Sequence, residues 1–186
     1  MKSVAAALLF ASVIALARPA AADGSFVVTS PAFHDGDLAA STYADKGLAV
    51  DNTSCGGEGV SPPLQWTNVP DGTQSFALVI FDVDARGGAG VVHWVAYNMA
   101  ATKTSVTPGE GAPGGTTLTG GTNTAGTTQF HGFCPPKGDA PHHYVMTIFA
   151  LDLPPTLTPG LTRDDLLAAM KHHVLRLASV VARYGR

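Results

Sequence analysis

The sequence predicts a mostly β fold of two packed sheets with one short helix near the C-terminus. Three observations carry that expectation. At least five apolar runs of strand length are separated by Pro, Gly and Asp turn signals. One of them, Ser75 to Phe81, is apolar without alternation, as a central strand buried on both faces must be. Helical periodicity behind an N-cap occurs once, after Thr162.

Met1 to Ala22 has one early positive charge at Lys2, an apolar stretch from Val4 to Ala17, and small residues at Ala20 to Ala22. It reads as a cleaved signal peptide, which places the protein in the periplasm or outside the cell. Its apolar part is shorter than the ~20 residues of a membrane-spanning helix, so no transmembrane segment is expected. Residues 23–186 are one domain's worth of chain. They carry nine basic against fourteen acidic side chains, a formal charge of −5. That balance argues against a nucleic-acid partner. Cys55 and Cys134 are the two cysteines. Parity and an oxidising compartment favour a disulfide between them.

Ser25 to Thr29 is the first strand expected. Leu38 to Gly59 is polar and Gly-bearing, and reads as an edge strand or two with a surface loop; Asn52-Thr53-Ser54 within it matches the N-glycosylation pattern and reads as an unmodified loop. After the rigid Ser61-Pro62-Pro63, alternation buries Leu64 and Trp66 on one face. Pro70-Asp71-Gly72 is a turn. It leads to the central strand, which ends in Asp82-Val83-Asp84. Val91 to Met99 is a second buried strand with one ionisable residue, His93. If the two are antiparallel neighbours, Asp82 lies beside the start of the second, and contact with His93 is expected. Residues 104–128 are rich in Gly, Thr and Pro and read as a surface loop.

Cys134-Pro135-Pro136 is a rigid turn before the strand from Tyr144 to Leu153. His142 and Tyr144, two residues apart, share a face there, and His143 takes the other. Thr162 and Asp165 form a capping pair for a helix from Arg163 to about Val174, with Leu166, Leu167, Met170 and Val174 on one face. His172 and His173 read as residues of the helix end. Val180 to Tyr184 alternates like a closing strand.

Six motifs in order resemble the phosphatidylethanolamine-binding protein family, most closely its bacterial Raf kinase inhibitor-like branch. They are Ser61-Pro62-Pro63-Leu64-x-Trp66, Asp71-Gly72-Thr73-x-Ser75-Phe76-Ala77-Leu78, Asp82-Val83-Asp84-Ala85, His93-Trp94-Val95-x-Tyr97-Asn98, Cys134-Pro135-Pro136-x-Gly138 and His142-x-Tyr144. The resemblance implies a two-sheet β fold with a small anion pocket at one end of the central sheet. Carried over, the pocket residues are Asp82, His93, His142 and Tyr144, with the main chain around Cys134 and Pro135. The ligand implied is a phosphate-like or carboxylate group, phospholipid head groups included. The implied role is a binding module that regulates a partner protein, with no cofactor. The family's Asp-Pro-Asp-Ala-Pro reads Asp82-Val83-Asp84-Ala85-Arg86 here, without either proline, and its His-Arg-Tyr reads His142-His143-Tyr144.

Chemically, an Asp beside an imidazole orients it and leaves the other ring nitrogen for an anion. Anion binding is then expected to tighten as pH falls through ~6.5. The alternative readings are a phosphoester hydrolase using an Asp–His pair and a metal site of Asp82, His93 and His142. No nucleophile motif supports the first.

Overall fold

A computed structural model describes residues 24–49, 52–112 and 118–186, so the expected signal peptide lies outside the described residues. The chain is mostly β. A small antiparallel sheet joins β1 (Val27–Thr29), β2 (Leu64–Thr67) and β5 (Ser105–Val106) in the order β1-β2-β5. A larger antiparallel sheet joins β3 (Ser75–Asp82), β4 (Val91–Ala100), β6 (Thr119–Gly121), β7 (His142–Leu151) and β8 (Val174–Tyr184) in the order β6-β4-β3-β7-β8.

Strand β3 is the middle of that sheet, and its unalternating sequence is explained by what covers each face. Phe76, Leu78 and Ile80 face the small sheet, in one core with Leu64, Trp66 and Val106. Ala77 and Val79 face outward, under Leu166 of the helix α1 (Arg163–Ala169) and Met170, which caps its C-terminus. Each such fully buried Leu or Ile is worth roughly 1.5–3 kcal/mol relative to exposure. With both faces covered, a polar residue inside β3 is costly, and the first ionisable side chain comes at its end, Asp82.

Helix α1 begins as the sequence indicates. The Asp165 N–H donates to Thr162 Oγ1 at 3.2 Å while the Asp165 carboxylate accepts from the Thr162 N–H at 3.4 Å. It ends earlier than expected. His172 turns the backbone left-handed (φ 69°), and Val174, the fourth residue of the apolar helical face, instead opens β8 opposite Leu151.

Two other expectations change. Between Leu38 and Gly59 the described residues contain single bridges, Leu38 to Arg183, Ala44 to Phe133 and Leu48 to Ser54, and a short 3-10 turn at Ser41–Tyr43, in place of an edge strand. The expected loop at residues 104–128 contributes β5 to one sheet and β6 to the other, while residues 113–117 lie outside the described part. In β6, Gly120 and Gly121 leave no room for a side chain: a Cβ would come within 2.4 Å of Thr128 O and Leu161 O respectively.

Candidate functional site

At the end of the large sheet where β3 stops and β7 starts, a cavity of about 450 Å3 is lined by Asp82, His93, Cys134, Pro135 and His142, among others. Asp82 and Tyr144 are cross-strand partners in the β3–β7 ladder, which puts His142 diagonal to Asp82 on the same face. His142 Nδ1 donates to Asp82 Oδ2 at 2.8 Å, with both side chains buried. Asp82 Oδ1 accepts from the Asp84 and Ala85 N–H groups at 3.0 and 3.1 Å. Three donors make the burial of this carboxylate tolerable. The carboxylate–imidazole pair therefore forms with His142. No hydrogen bond joins Asp82 to His93, although β3 and β4 are the antiparallel neighbours expected.

The reason lies in a bulge. Ile80 pairs with Trp94 and Phe81 with Val92, so His93 is an extra residue in β4. It breaks the alternation. Val92 and Val95 pack on the helix side, whereas His93 and Trp94 both turn to the inner side. There His93 packs edge-on against Phe133 and Tyr144 and stacks on His131. Its Nδ1 donates to the His131 carbonyl oxygen at 2.8 Å. Burial, against the weaker opposing pull of that hydrogen bond, pushes the His93 pKa down to about 4. His93 is consequently neutral near pH 7. A carbonyl can only accept, so Nδ1 holds the proton and Nε2 is an acceptor.

Tyr144 does share its face with His142, and the exposed His143 takes the opposite one. Tyr144 is fully buried, its ring stacked 3.8 Å from that of Phe133, and it is not among the residues lining the cavity. Its hydroxyl has no hydrogen-bond partner among the described residues. Burial first, and then the charge of Asp82, raise its pKa. On the other face Asp84 Oδ2 accepts from the His143 N–H at 2.6 Å and from His143 Nδ1 at 2.9 Å. The first of these bonds chiefly holds the Asp84 carboxyl below its usual range.

Cys55 and Cys134 form a disulfide, with Cα atoms 5.2 Å apart. It binds the segment 52–59 to the segment that follows His131. Arg186 reinforces the joint, donating from Nε to Pro135 O at 2.6 Å and from Nη1 to Ser54 O at 3.1 Å and to Thr53 Oγ1. Gly132 allows the approach, since a Cβ there would lie 2.4 Å from Asp45 N.

Five ionisable cavity residues were without a role in the sequence reading: Asp45, Asp84, Arg86, His131 and Asp139. Asp45 lies 3.2 Å from His131 Nδ1, and Asp139 Oδ2 is 3.6 Å from His142 Nε2. The only local signal for Asp139 was its place three residues before His142; Asp45 carried none. Among the described residues, no three His, Cys, Asp or Glu side chains are grouped to hold a metal ion.

Comparison with known proteins agrees with this architecture. The sequence profile of the phosphatidylethanolamine-binding protein family matches residues 29–185. The chain is 38% identical over 148 residues to UPF0098 protein YbcL of Escherichia coli, covering 77% of this chain and 78% of YbcL. It is 35% identical over 154 residues to a UPF0098 protein of Methanothermobacter thermautotrophicus, covering 81% of this chain and 99% of that one. The lipoprotein-named LppC of Mycobacterium tuberculosis is 35% identical over 133 residues, covering 72% of this chain and 64% of LppC. The crystal structure of Escherichia coli YbcL, described as a member of the mammalian PEBP family, superposes with a TM-score of 0.79 at 31% identity, over 88% of this chain and 99% of that one.

Proposed function

Since the chain belongs to the phosphatidylethanolamine-binding protein family, we propose that it is an exported module that binds a small phosphate-like or carboxylate anion, a phospholipid head group included, in the Asp82–His142 cavity. The observation that carries this reading is the buried pair itself. Asp82 occupies His142 Nδ1 and fixes the ring, so that Nε2 is presented at the cavity. Protonated, that nitrogen is a charged donor for an anion. Export is supported by the disulfide, which persists in oxidising compartments, and by the lipoprotein name of one relative.

Titration calorimetry of the purified protein with inorganic phosphate, acetate and phosphoethanolamine at pH 6 tests the proposal. Saturable binding is expected, and it should be lost in His142→Ala. Because that variant strips Asp82 of a buried partner, His142→Gln is measured beside it: its amide can still donate to Asp82 but cannot carry a charge. Native protein that binds none of the three anions, or His142→Gln that binds them unchanged, overturns the reading.

A further inference from the structure

The charges around the cavity are unequally committed. Asp45, Asp82, Asp84 and Asp139 each face a histidine or a main-chain N–H of the fold. Arg86 also lines the cavity, and its side chain has neither an ion pair nor a hydrogen bond among the described residues. It is the permanent cation left for a ligand.

The backbone at Arg86 is also unusual. It is left-handed, φ 53° and ψ 38°, in a non-glycine residue followed by Gly87 at φ 65° and Gly88 at φ 94°. Such a conformation costs free energy and persists where surrounding structure dictates it. Here the loop is held from its start. Asp82 accepts from the Asp84 and Ala85 N–H groups, and the Val83 N–H donates to His143 O at 3.2 Å. The prolines of the family pattern at positions 83 and 86 could not replace these residues: the first lacks the N–H, and the second cannot reach a positive φ. The substitutions and the loop conformation belong together, and they leave an arginine among the residues lining the cavity.

His93 supplies the second half of the selection. With Nδ1 committed to the His131 carbonyl, Nε2 is the acceptor of the ring, and His93 lines the cavity. An acceptor suits a ligand O–H and opposes a bare anionic oxygen. We propose that Arg86 and His93 make this pocket selective for a phosphoryl group that retains a P–OH, as in inorganic phosphate and phosphate monoesters, over phosphodiesters and carboxylates. Arg86 pairs with the anionic oxygens, and His93 Nε2 accepts the P–OH hydrogen. The selection rests on the anion-binding reading above and narrows it. It also separates a free phosphate or monoester from an intact phospholipid head group, whose phosphodiester has no P–OH.

The test titrates the native protein, Arg86→Ala, Arg86→Lys and His93→Gln at pH 6 with inorganic phosphate, phosphoethanolamine, glycerophosphoethanolamine and acetate, after thermal melts have confirmed that each variant folds. About half of a phosphate monoester keeps its last proton at that pH, because its second pKa is ~6. Native protein should bind phosphate and phosphoethanolamine at least roughly tenfold more tightly than the diester or acetate, since a site built around a ligand O–H rejects analogues without it. Arg86→Ala should weaken phosphate binding roughly tenfold, and Arg86→Lys should recover only part of it, the charge without the planar fork. His93→Gln should narrow the gap between monoester and diester. A repeat at pH 8 needs no variant. The monoester has then lost its proton and inorganic phosphate has not, so the ratio of their affinities should move toward inorganic phosphate, while the charges on Asp82, His131, His142 and Asp139 are common to both titrations. Diester bound as tightly as monoester, or phosphate affinity unchanged in Arg86→Ala, overturns this selectivity and leaves the anion site standing. No binding of any anion to the native protein overturns both.

Discussion

The cavity has two walls built on opposite principles. One, residues 45–49 and 52–59 against 131–136, is fastened by a disulfide, by Arg186 bonding both sides of the joint, and by a bridge between Ala44 and Phe133. Its partners are up to 133 residues apart in sequence. The other wall, residues 82–90, is tied to β7 at its start, where Asp82 bonds His142 and Asp84 bonds His143. Past that start its bonds are local, Asp82 accepting from the Asp84 and Ala85 N–H groups and the Gly90 N–H donating to Ala85 O, and Arg86 sits in a left-handed conformation. The fastened wall is stiffened by long-range links, whereas the local wall carries a strained backbone at Arg86, whose side chain is unpaired among the described residues. Cross-linking and backbone strain thus fall in different segments of one pocket.

The largest test of that contrast is to cut the fastening. The disulfide closes a loop with a sequence separation of 79. Loop entropy of that length gives about 4–5 kcal/mol of stability. Replacing both cysteines by alanine should therefore lower the denaturation free energy by that order and weaken anion binding in the folded fraction. A loss under about 1 kcal/mol would mean that the wall does not depend on its staple.

The next effect reads how firmly His93 is joined to the same wall. Above the ordinary histidine pKa of 6.5, folded and unfolded chains both carry it neutral. As pH falls, the unfolded chain takes up a proton that the folded chain refuses until about 4. Stability is lost through that window by roughly 3 kcal/mol and no further below it. Urea melts from pH 7 to 4 on native protein and His93→Gln should differ by this amount in their pH dependence. Parallel curves would show that His93 is not held neutral.

Smaller changes separate floor from wall. Tyr144→Phe deletes a buried hydroxyl that lies near Asp82 without a well-formed hydrogen bond among the described residues, and should leave stability unchanged or raise it by up to about 1 kcal/mol. A loss of 1–3 kcal/mol in thermal melts would instead reveal a hydrogen bond. On the local wall, Arg86→Gly should gain up to about 1 kcal/mol by relieving the left-handed backbone, while phosphate affinity falls. If it gains nothing, the loop is not strained.

Much of this was legible beforehand because it is local. The unbroken apolar run of β3, the alternation of Leu64 and Trp66, the shared face of His142 and Tyr144 and the cap at Thr162 are each written in a few adjacent residues. What was not legible depends on partners. Ser105–Val106 and Thr119–Gly121 are too short and too polar to signal strands, and pair because β2 and β4 offer them edges. Val174 fits a helical face, yet the ladder with β7 claims it for β8.

The sequence by itself therefore determined the fold class, the central strand, the family motifs and the residue types that meet at the end of the sheet. Tertiary structure alone decided which imidazole Asp82 engages, because a one-residue bulge in β4 turns His93 toward the His131 carbonyl and the diagonal register of β3 on β7 delivers His142. It also decided that Tyr144 lies behind the cavity, since stacking on Phe133 buries it there, and that Arg86 lines the cavity with no side-chain partner among the described residues. The physical reason is one of range. Propensity and patterning act over a few residues, whereas register, burial and the pairing of charges are set by strands distant in the chain.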